Sequence, residues 1–377
     1  MDAEEILKRY REVGGRIETK GKITLSSKED LALFYTPGVG KVSSHLASHK
    51  EDARELSVKK NSVAVVSDGS AVLGLGNIGP YGALPVMEGK ALIFKEFAGI
   101  DAWPIVLDTQ DPEEIIQTVK AIAPSFGGIN LEDIAAPQCF LIERRLQKEL
   151  DIPVMHDDQH GTAIVVLAAL INASKVVGKN LETLKVVILG AGAAGAATAR
   201  LLVAKGIQDV VLVDRKGVIS KERADLNDEK KLLLEVTNPT NVTGTLQDAL
   251  QGADVFIGVS GPALLTKEDV KLMAEAPIIF ALSNPVPEIM PEEAYEAGAA
   301  VVATGRSDFP NQVNNALVFP GIFKGALESG VTDITEAMKL RAAEALASLV
   351  ESPTKDKIIP DVFEKEVVET VARAVGG

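Results

Sequence analysis

Residues Gly190-Ala191-Gly192-Ala193-Ala194-Gly195 form a G-x-G-x-x-G turn between an apolar run, 184–189, and a helix-forming stretch, 196–205. A second apolar run, 210–213, follows and ends in Asp214. Glycines so placed permit a tight turn and let the backbone approach a pyrophosphate, whose charge the free N–H groups of a helix start can meet. An acid ending the second strand can accept hydrogen bonds from an adenosine ribose. Strand, turn, helix and acid together carry the chemistry of dinucleotide binding; the alternative is a Gly/Ala-rich helix-packing motif. Asp214 argues for NAD, because a carboxylate repels a 2′-phosphate. Arg215 and Lys216 come next in sequence and could neutralise that phosphate, so NADP stays open.

Adjacent acids occur at Glu132-Asp133 and Asp157-Asp158, each pair at the C-terminal end of an expected strand. Ligands of open α/β sheets collect beyond those ends. Two parallel strands would bring the carboxylates together, where they repel unless a divalent cation relieves them. All-oxygen ligation suits Mg²⁺ or Mn²⁺ rather than zinc. Solvated strand-end acids are the other reading. His156 and His160 flank the second pair and could join it as ligands, but lone histidines are more often structural. Lys90 and Lys95 lie in or beside an expected strand at 91–94. A lysine there can serve as a base, or it can sit exposed on an edge strand. Tyr35 stands in the loop Tyr35-Thr36-Pro37-Gly38-Val39, as a functional or a packed tyrosine. A further G-x-G-x-x-G, Gly74 to Gly79, is followed by Pro80-Tyr81-Gly82, which does not begin a good helix. It reads as a pocket-shaping loop or a tight turn.

The chain that must position these groups has 377 residues, enough for two cores. Strands are expected at 63–67, 91–94, 104–107 and 152–155, and helices at 113–122, 138–150 and 162–177. After Gly178-Lys179-Asn180 a second series begins, with strands at 184–189, 210–213, 255–259, 278–282 and 300–303. Helices at 336–350 and 363–375 close the chain. Strands alternating with helices predict an α/β fold of two domains with mostly parallel sheets. Residues 1–165 are expected to form a substrate- and metal-binding domain. Residues 166–377 are expected to form a doubly wound, Rossmann-type nucleotide domain, with the last helices packing back on the body. The net charge of −14 argues against nucleic-acid and anionic-membrane partners. Cys139 is the one cysteine, so no disulfide framework or cysteine-based zinc site can form. The stretch from Met1 to Arg11 is charged and lacks an apolar signal-peptide core, and the longest apolar run, 163–171, is too short to span a bilayer. A cytoplasmic location follows as the expectation.

Taken as a set, several short motifs resemble the malic enzymes of the short prokaryotic type over nearly the whole chain. They are the Tyr35 loop, Leu73 to Gly79, Gly89-Lys90, Asn130-Leu131-Glu132-Asp133, and His156-Asp157-Asp158-Gln159-His160-Gly161-Thr162. The glycine fingerprint, Leu282-Ser283-Asn284-Pro285 and Asn311-Gln312-Val313-Asn314-Asn315 complete the set. The resemblance implies a malate dehydrogenase (oxaloacetate-decarboxylating): (S)-malate is oxidised to pyruvate and CO₂ as NAD or NADP is reduced. It implies a homodimer and decarboxylation of added oxaloacetate. Lys90 would take the proton of the C2 hydroxyl, Glu132, Asp133 and Asp158 would hold Mg²⁺ or Mn²⁺, and Tyr35 would protonate C3. Asp157 would support the lysine, while Asn284, Asn314 and Asn315 would bind substrate, Asn284 beside the nicotinamide ribose. Larger relatives grip a substrate carboxylate with an arginine just before the first glycine motif. Ser70-Ala71-Val72 stands there instead, which leaves that carboxylate's partner open. A two-domain amino-acid dehydrogenase would give the three ligand carboxylates no shared task. A malolactic enzyme and a nucleotide-binding scaffold are the remaining rivals.

Overall fold

The computed structural model describes residues 2–377; Met1, the first residue of the charged N-terminal stretch, lies outside the described residues. The chain opens with an arm of four helices: α1 (Ala3–Val13), α2 (Lys28–Phe34), α3 (Gly38–Ser48) and α4 (Ala53–Leu56). None of them buries a residue, although Ile6, Leu7, Tyr10, Leu33 and Phe34 are large apolar side chains. The arm is pinned to the body at Ile17, which packs on the core, and at Arg16, whose guanidinium donates to the Pro85 carbonyl.

The first sheet is assembled from β1 (Ser62–Ser67), α5 (Gly79–Ala98), β2 (Asp101–Val106), α6 (Pro112–Ile122), β3 (Gly128–Leu131), α7 (Gln138–Glu149) and β4 (Val154–His156). Its strands run parallel in the order β2-β1-β3-β4. The strand expected at 91–94 does not exist; those residues lie inside α5, whose first turn contains Pro80-Tyr81-Gly82, a stretch not expected to begin a helix. Ala83, Met87, Ala91 and Phe94 are its buried apolar residues, and that spacing is one face of a helix. A four-residue apolar run cannot by itself tell a buried strand from a buried helical face. Proline is also well tolerated in a first helical turn. Lys90 and Lys95 therefore project from a helix.

Helix α8 (Asp157–Val176) starts directly at the end of β4 and leads to the second sheet. That sheet comprises β5 (Lys185–Leu189), α9 (Ala193–Ala204), β6 (Asp209–Asp214), β7 (Gly217–Val218), α10 (Asp228–Leu234), α11 (Leu246–Leu250), β8 (Val255–Gly258), α12 (Lys267–Val270), β9 (Ile278–Ala281), α13 (Pro291–Glu296) and β10 (Val301–Thr304). The order is β10-β9-β8-β5-β6-β7, with only β7 antiparallel. The chain thus leaves β5 in one direction and later returns to its other side, which makes a doubly wound sheet with a switch point at β5. Val186 and Ile188 enter the large core shared with the first sheet, while Val187 and Leu189 enter a second core on the opposite face. That alternation is what a sheet covered on both faces requires. Among the described residues no helix is long and apolar enough to cross a membrane.

The last helices, α14 (Phe319–Ser329), α15 (Glu336–Ser348) and α16 (Glu366–Gly376), do not stay with the second sheet. Helix α14 lies against α5, where the Phe94 ring meets Phe319 and Phe323 edge-on at 4.7 and 5.5 Å. Gly128 of β3 makes room for Phe323: a Cβ there would come within 3.1 Å of the ring. The C-terminal segment therefore completes the core of the first sheet. Trp103 in β2, the one tryptophan, reports on that unit. Phe323→Ala should lower its unfolding free energy by about 3–5 kcal/mol, measured as a shifted urea transition of Trp103 fluorescence. A loss below about 1 kcal/mol would show that α14 is not part of this core.

Candidate active site

Strand register brings the acids together. Leu131 of β3 pairs with His156 of β4, so the next residues, Glu132 and Asp157, leave the sheet side by side. Lys90 arrives from α5 and enters between them. Its Nζ lies 2.8 Å from Glu132 Oε1 and 2.5 Å from Asp157 Oδ2, and 4.0 Å from the centre of the Phe319 ring. Lys90, Glu132 and Asp157 are all buried. Gly161, one turn into α8, is required by this packing, because a Cβ there would overlap Asp157 Oδ1.

Asp133 and Asp158 extend the cluster. Carboxylate oxygens of Glu132, Asp133 and Asp158 all lie within 4.8 Å of one another. The Asp133 N–H donates to Asp158 Oδ2 at 2.7 Å, and Asn130 Nδ2 donates to Glu132 Oε2 at 2.9 Å. Asp133 is held at a φ of 54°, a left-handed conformation that is costly for a residue with a side chain. Its Oδ2 is buried without a hydrogen-bond partner. Converging carboxylates with an orphaned buried oxygen fit a hard divalent cation such as Mg²⁺ or Mn²⁺.

The electrostatics agree with that fit. Burial, and then the neighbouring acids, raise Glu132, Asp133 and Asp158 above the usual carboxylate range. Asp157 is pushed up to about 7, by burial first and despite Lys90. Burial disfavours the Lys90 ammonium, yet Asp157 and Glu132 outweigh it and raise its pKa. One ammonium thus faces more carboxylates than it can satisfy.

A second buried network braces the start of α8. Glu143 of α7 accepts the His156 N–H at 2.7 Å and Gln159 Nε2 at 3.0 Å, and its Oε2 lies 3.0 Å from His160 Nε2. Lys339 Nζ of α15 lies 3.0 Å from His160 Nδ1. A carboxylate on one ring nitrogen and an ammonium on the other fix the neutral tautomer protonated at Nε2. His160 is therefore a structural link. His156 is fully buried, its pKa lowered to about 4 chiefly by burial, with Nε2 3.3 Å from Asp158. Nothing in the sequence marked Glu143 or Lys339, because their partners come from other helices.

At the second sheet, Gly190 has a φ of 118°, and a Cβ on it would sit 2.7 Å from the Val259 carbonyl. A Cβ on Gly195 would overlap the Gly190 carbonyl, whereas one on Gly192 would meet only open space. Gly192 is the N-cap of α9, so Ala193 and Ala194 begin the helix inside the motif. The turn borders a cavity of about 380 Å³ whose walls include Ala191, Gly192, Asp214, Arg215, Lys230 and Ser260. Glycines where backbone crowds backbone, and a free helix start facing a cavity, fit a dinucleotide pyrophosphate. Asp214 is already engaged: Arg223 Nη1 lies 2.7 Å from Oδ1 and Lys230 Nζ 2.6 Å from Oδ2. Burial opposes its charge, but these donors hold its pKa below the usual value. Lys216 instead pairs with Asp225 at 2.8 Å, so the cations at Asp214 are not the ones adjacent in sequence.

The first glycine motif meets this half of the molecule directly. A Cβ on Gly74 would lie 2.1 Å from the Asn284 carbonyl, so the loop at 74–79 seats the turn carrying Asn284. The Asn314 side chain accepts the Ala316 N–H at 2.8 Å, and the Asn315 Cβ lies against Gly161, beside Asp157. Tyr35 is not among the buried groups; it caps α2 and is 64% exposed.

Glu143 also sets a pH dependence. Burial would raise its pKa, but His160 and Lys339 bring it down to about 2. A carboxylate whose folded pKa is depressed stabilises the fold above its unfolded pKa, near 4.5, and loses that contribution as pH falls towards 2. Glu143→Gln should therefore cost on the order of 3 kcal/mol at pH 7, with the gap to the unsubstituted chain closing between pH ~4.5 and ~2 in urea titrations. A gap independent of pH would contradict the charge-based role.

Two sequence profiles match the chain: malic enzyme, N-terminal domain, over residues 14–147, and malic enzyme, NAD binding domain, over residues 159–376. The NAD-dependent malic enzyme of Geobacillus stearothermophilus is 58% identical over 365 residues, covering 96% of this chain and 76% of that protein. The bifunctional malic/malolactic enzyme of Bacillus subtilis is 54% identical, over 99% of this chain and 92% of its own. The crystal structure of the NAD-dependent malic enzyme from Thermotoga maritima superposes with a TM-score of 0.96 at 52% identity, covering 100% of this chain and 99% of that one. Sequence, fold and the carboxylate cluster agree, and the chain belongs to the malic enzyme family.

Proposed function

We propose that this chain carries out the family's reaction, oxidative decarboxylation of (S)-malate to pyruvate and CO₂ with reduction of NAD or NADP, at the cluster around Lys90. The observation that supports this most is Lys90 held between Glu132 and Asp157, beside three converging ligand carboxylates. An amino-acid dehydrogenase would have no use for that convergence.

Glu132, Asp133 and Asp158 would hold Mg²⁺ or Mn²⁺, which supplies Lewis-acid polarisation of the C2 oxygen and so eases loss of the β-carboxyl group as CO₂. NAD or NADP supplies the hydride acceptor. Lys90 accepts the C2 hydroxyl proton. A base must first be neutral, and in the cluster two carboxylates favour the ammonium. With Glu132 engaged as a ligand, Asp157 alone would support the ammonium, which would lower the Lys90 pKa towards that of a base. Asp157 keeps the amine aimed at the sheet ends. Asn284, Asn314 and Asn315 orient the substrate carboxylates. Tyr35 donates the proton to C3 and, being exposed, reaches it only when the arm closes over its own cleft or over that of a second copy. We read the chain as cytoplasmic and homodimeric, with a substrate- and metal-binding part over 1–165 and a nucleotide-binding part over 166–377. Oxaloacetate decarboxylation uses the same cation and carboxylates.

Malate-dependent NAD(P)H formation should require Mn²⁺ or Mg²⁺ and stop with chelator; activity indifferent to chelator would overturn the metal role. Lys90→Ala should lower kcat by ~10²–10⁴-fold, the usual reach of general acid–base catalysis, with the NADH Kd nearly unchanged. Product analysis separates pyruvate from the lactate of a malolactic reaction. Asp214→Asn should shift kcat/KM selectivity towards NADP by about tenfold, since Arg223 and Lys230 would keep their charge without a carboxylate to neutralise it. Unchanged selectivity would place cofactor choice elsewhere.

A further inference from the structure

Glu288 is a carboxylate with no accessible surface that the reaction above leaves unused. It follows β9 and reaches back under two turns. Its Oε1 accepts the Ser283 hydroxyl at 2.6 Å and the Ser260 N–H at 3.2 Å, and its Oε2 accepts the Ser283 N–H at 3.2 Å. Burial raises its pKa, opposed by hydrogen bonds from neutral donors, among them the Ser283 hydroxyl. Gly258, the last residue of β8, makes the space: a Cβ there would lie 2.3 Å from the Glu288 carboxyl carbon. A buried acid without a cation is expensive, and simple filling of this space would not need one.

The position of Glu288 in the sheet gives it a task. The pyrophosphate turn follows β5, and the ribose-binding acid Asp214 ends β6 on one side. The other half of a dinucleotide must then run the opposite way, over the ends of β8 and β9. Those ends carry the turns that Glu288 joins. Ser260 lines the cavity beside the glycine turn, and Ser283 precedes Asn284.

We propose that Glu288 is a positioning residue for the nicotinamide half of the cofactor: it clamps the Ser260 and Ser283 turns together and so sets the register of Asn284. The proposal rests on the dinucleotide reading of the glycine turn. It acts through backbone and hydroxyl donors, not by touching the cofactor. Glutamine cannot replace the carboxylate, because it offers one acceptor oxygen and turns an N–H₂ towards a donor.

Binding of NADH and of ADP-ribose, which lacks the nicotinamide, separates this role from a general structural one. In calorimetric titrations Glu288→Gln should weaken NADH by about tenfold, or about 1.4 kcal/mol, and leave ADP-ribose within about twofold. Ser283→Ala, which removes one donor and keeps the Glu288 carboxyl group, should weaken NADH about threefold in the same selective way and serves if the glutamine variant does not fold. Equal weakening of both ligands, or no change in either, would overturn the role of Glu288 alone. An unsubstituted chain that binds neither ligand would overturn the dinucleotide reading and this proposal with it.

Discussion

Four carboxylates, three of them buried and Asp158 half-buried, crowd one ammonium, and the rest of the site is built around that imbalance. Glu132, Asp133, Asp157 and Asp158 meet at the ends of two parallel strands, and Lys90 is the one cation among them. Such an arrangement is costly in a folded chain, because burial and mutual repulsion both disfavour the charged acids. The fold nevertheless enforces it through the β3–β4 register, through Asp133 in a left-handed conformation and through a glycine one turn into α8. Glu143, His160 and Lys339 brace the same helix start from behind, tying it to α7 and α15. A divalent cation would answer the imbalance, and in the proposed reaction Lys90 beside it would act as the base on a 2-hydroxy acid.

The second sheet adds the redox partner at a matching place. Its glycine turn, Asp214 and Ser260 border one cavity, where the proposed reading places the dinucleotide. The loop at Gly74 touches the Asn284 turn, so the two halves of the molecule meet beside a residue proposed to bind substrate. Helix α14, late in the chain, supplies the Phe319 ring against Lys90. The lysine environment is therefore assembled from both ends of the sequence, and a mobile active site would need that packing loosened.

Much of this was legible in the sequence because it is local. Acids directly after short apolar runs, and a glycine turn between a strand and a helix, carry their geometry with them. The run at 91–94 is ambiguous because apolar residues in α5 recur at helical spacing yet also fall in a short contiguous stretch. Lys90 stands out by its type beside an apolar run, but the run does not show that its element is a helix. Arg223 and Lys230, which neutralise Asp214, and Glu288 and Lys339 gave no local signal. Their partners lie on separate strands and helices, and only tertiary packing brings them together. The exposure of Tyr35 was likewise invisible, since a Pro/Gly loop says nothing about what covers it.

Calorimetric Mn²⁺ binding to the substrate-free chain near pH 7, repeated in buffers of different ionisation enthalpy, distinguishes a poised cation site from a set of merely structural acids. Acids raised by burial and by one another must release protons when a cation takes their place. Saturable binding with net proton release, seen as a buffer-dependent apparent enthalpy, and loss of both in Asp158→Ala, are expected. Binding that is buffer-independent, or that survives unchanged in Asp158→Ala, would contradict the view that this cluster is a carboxylate site held in readiness for a divalent cation.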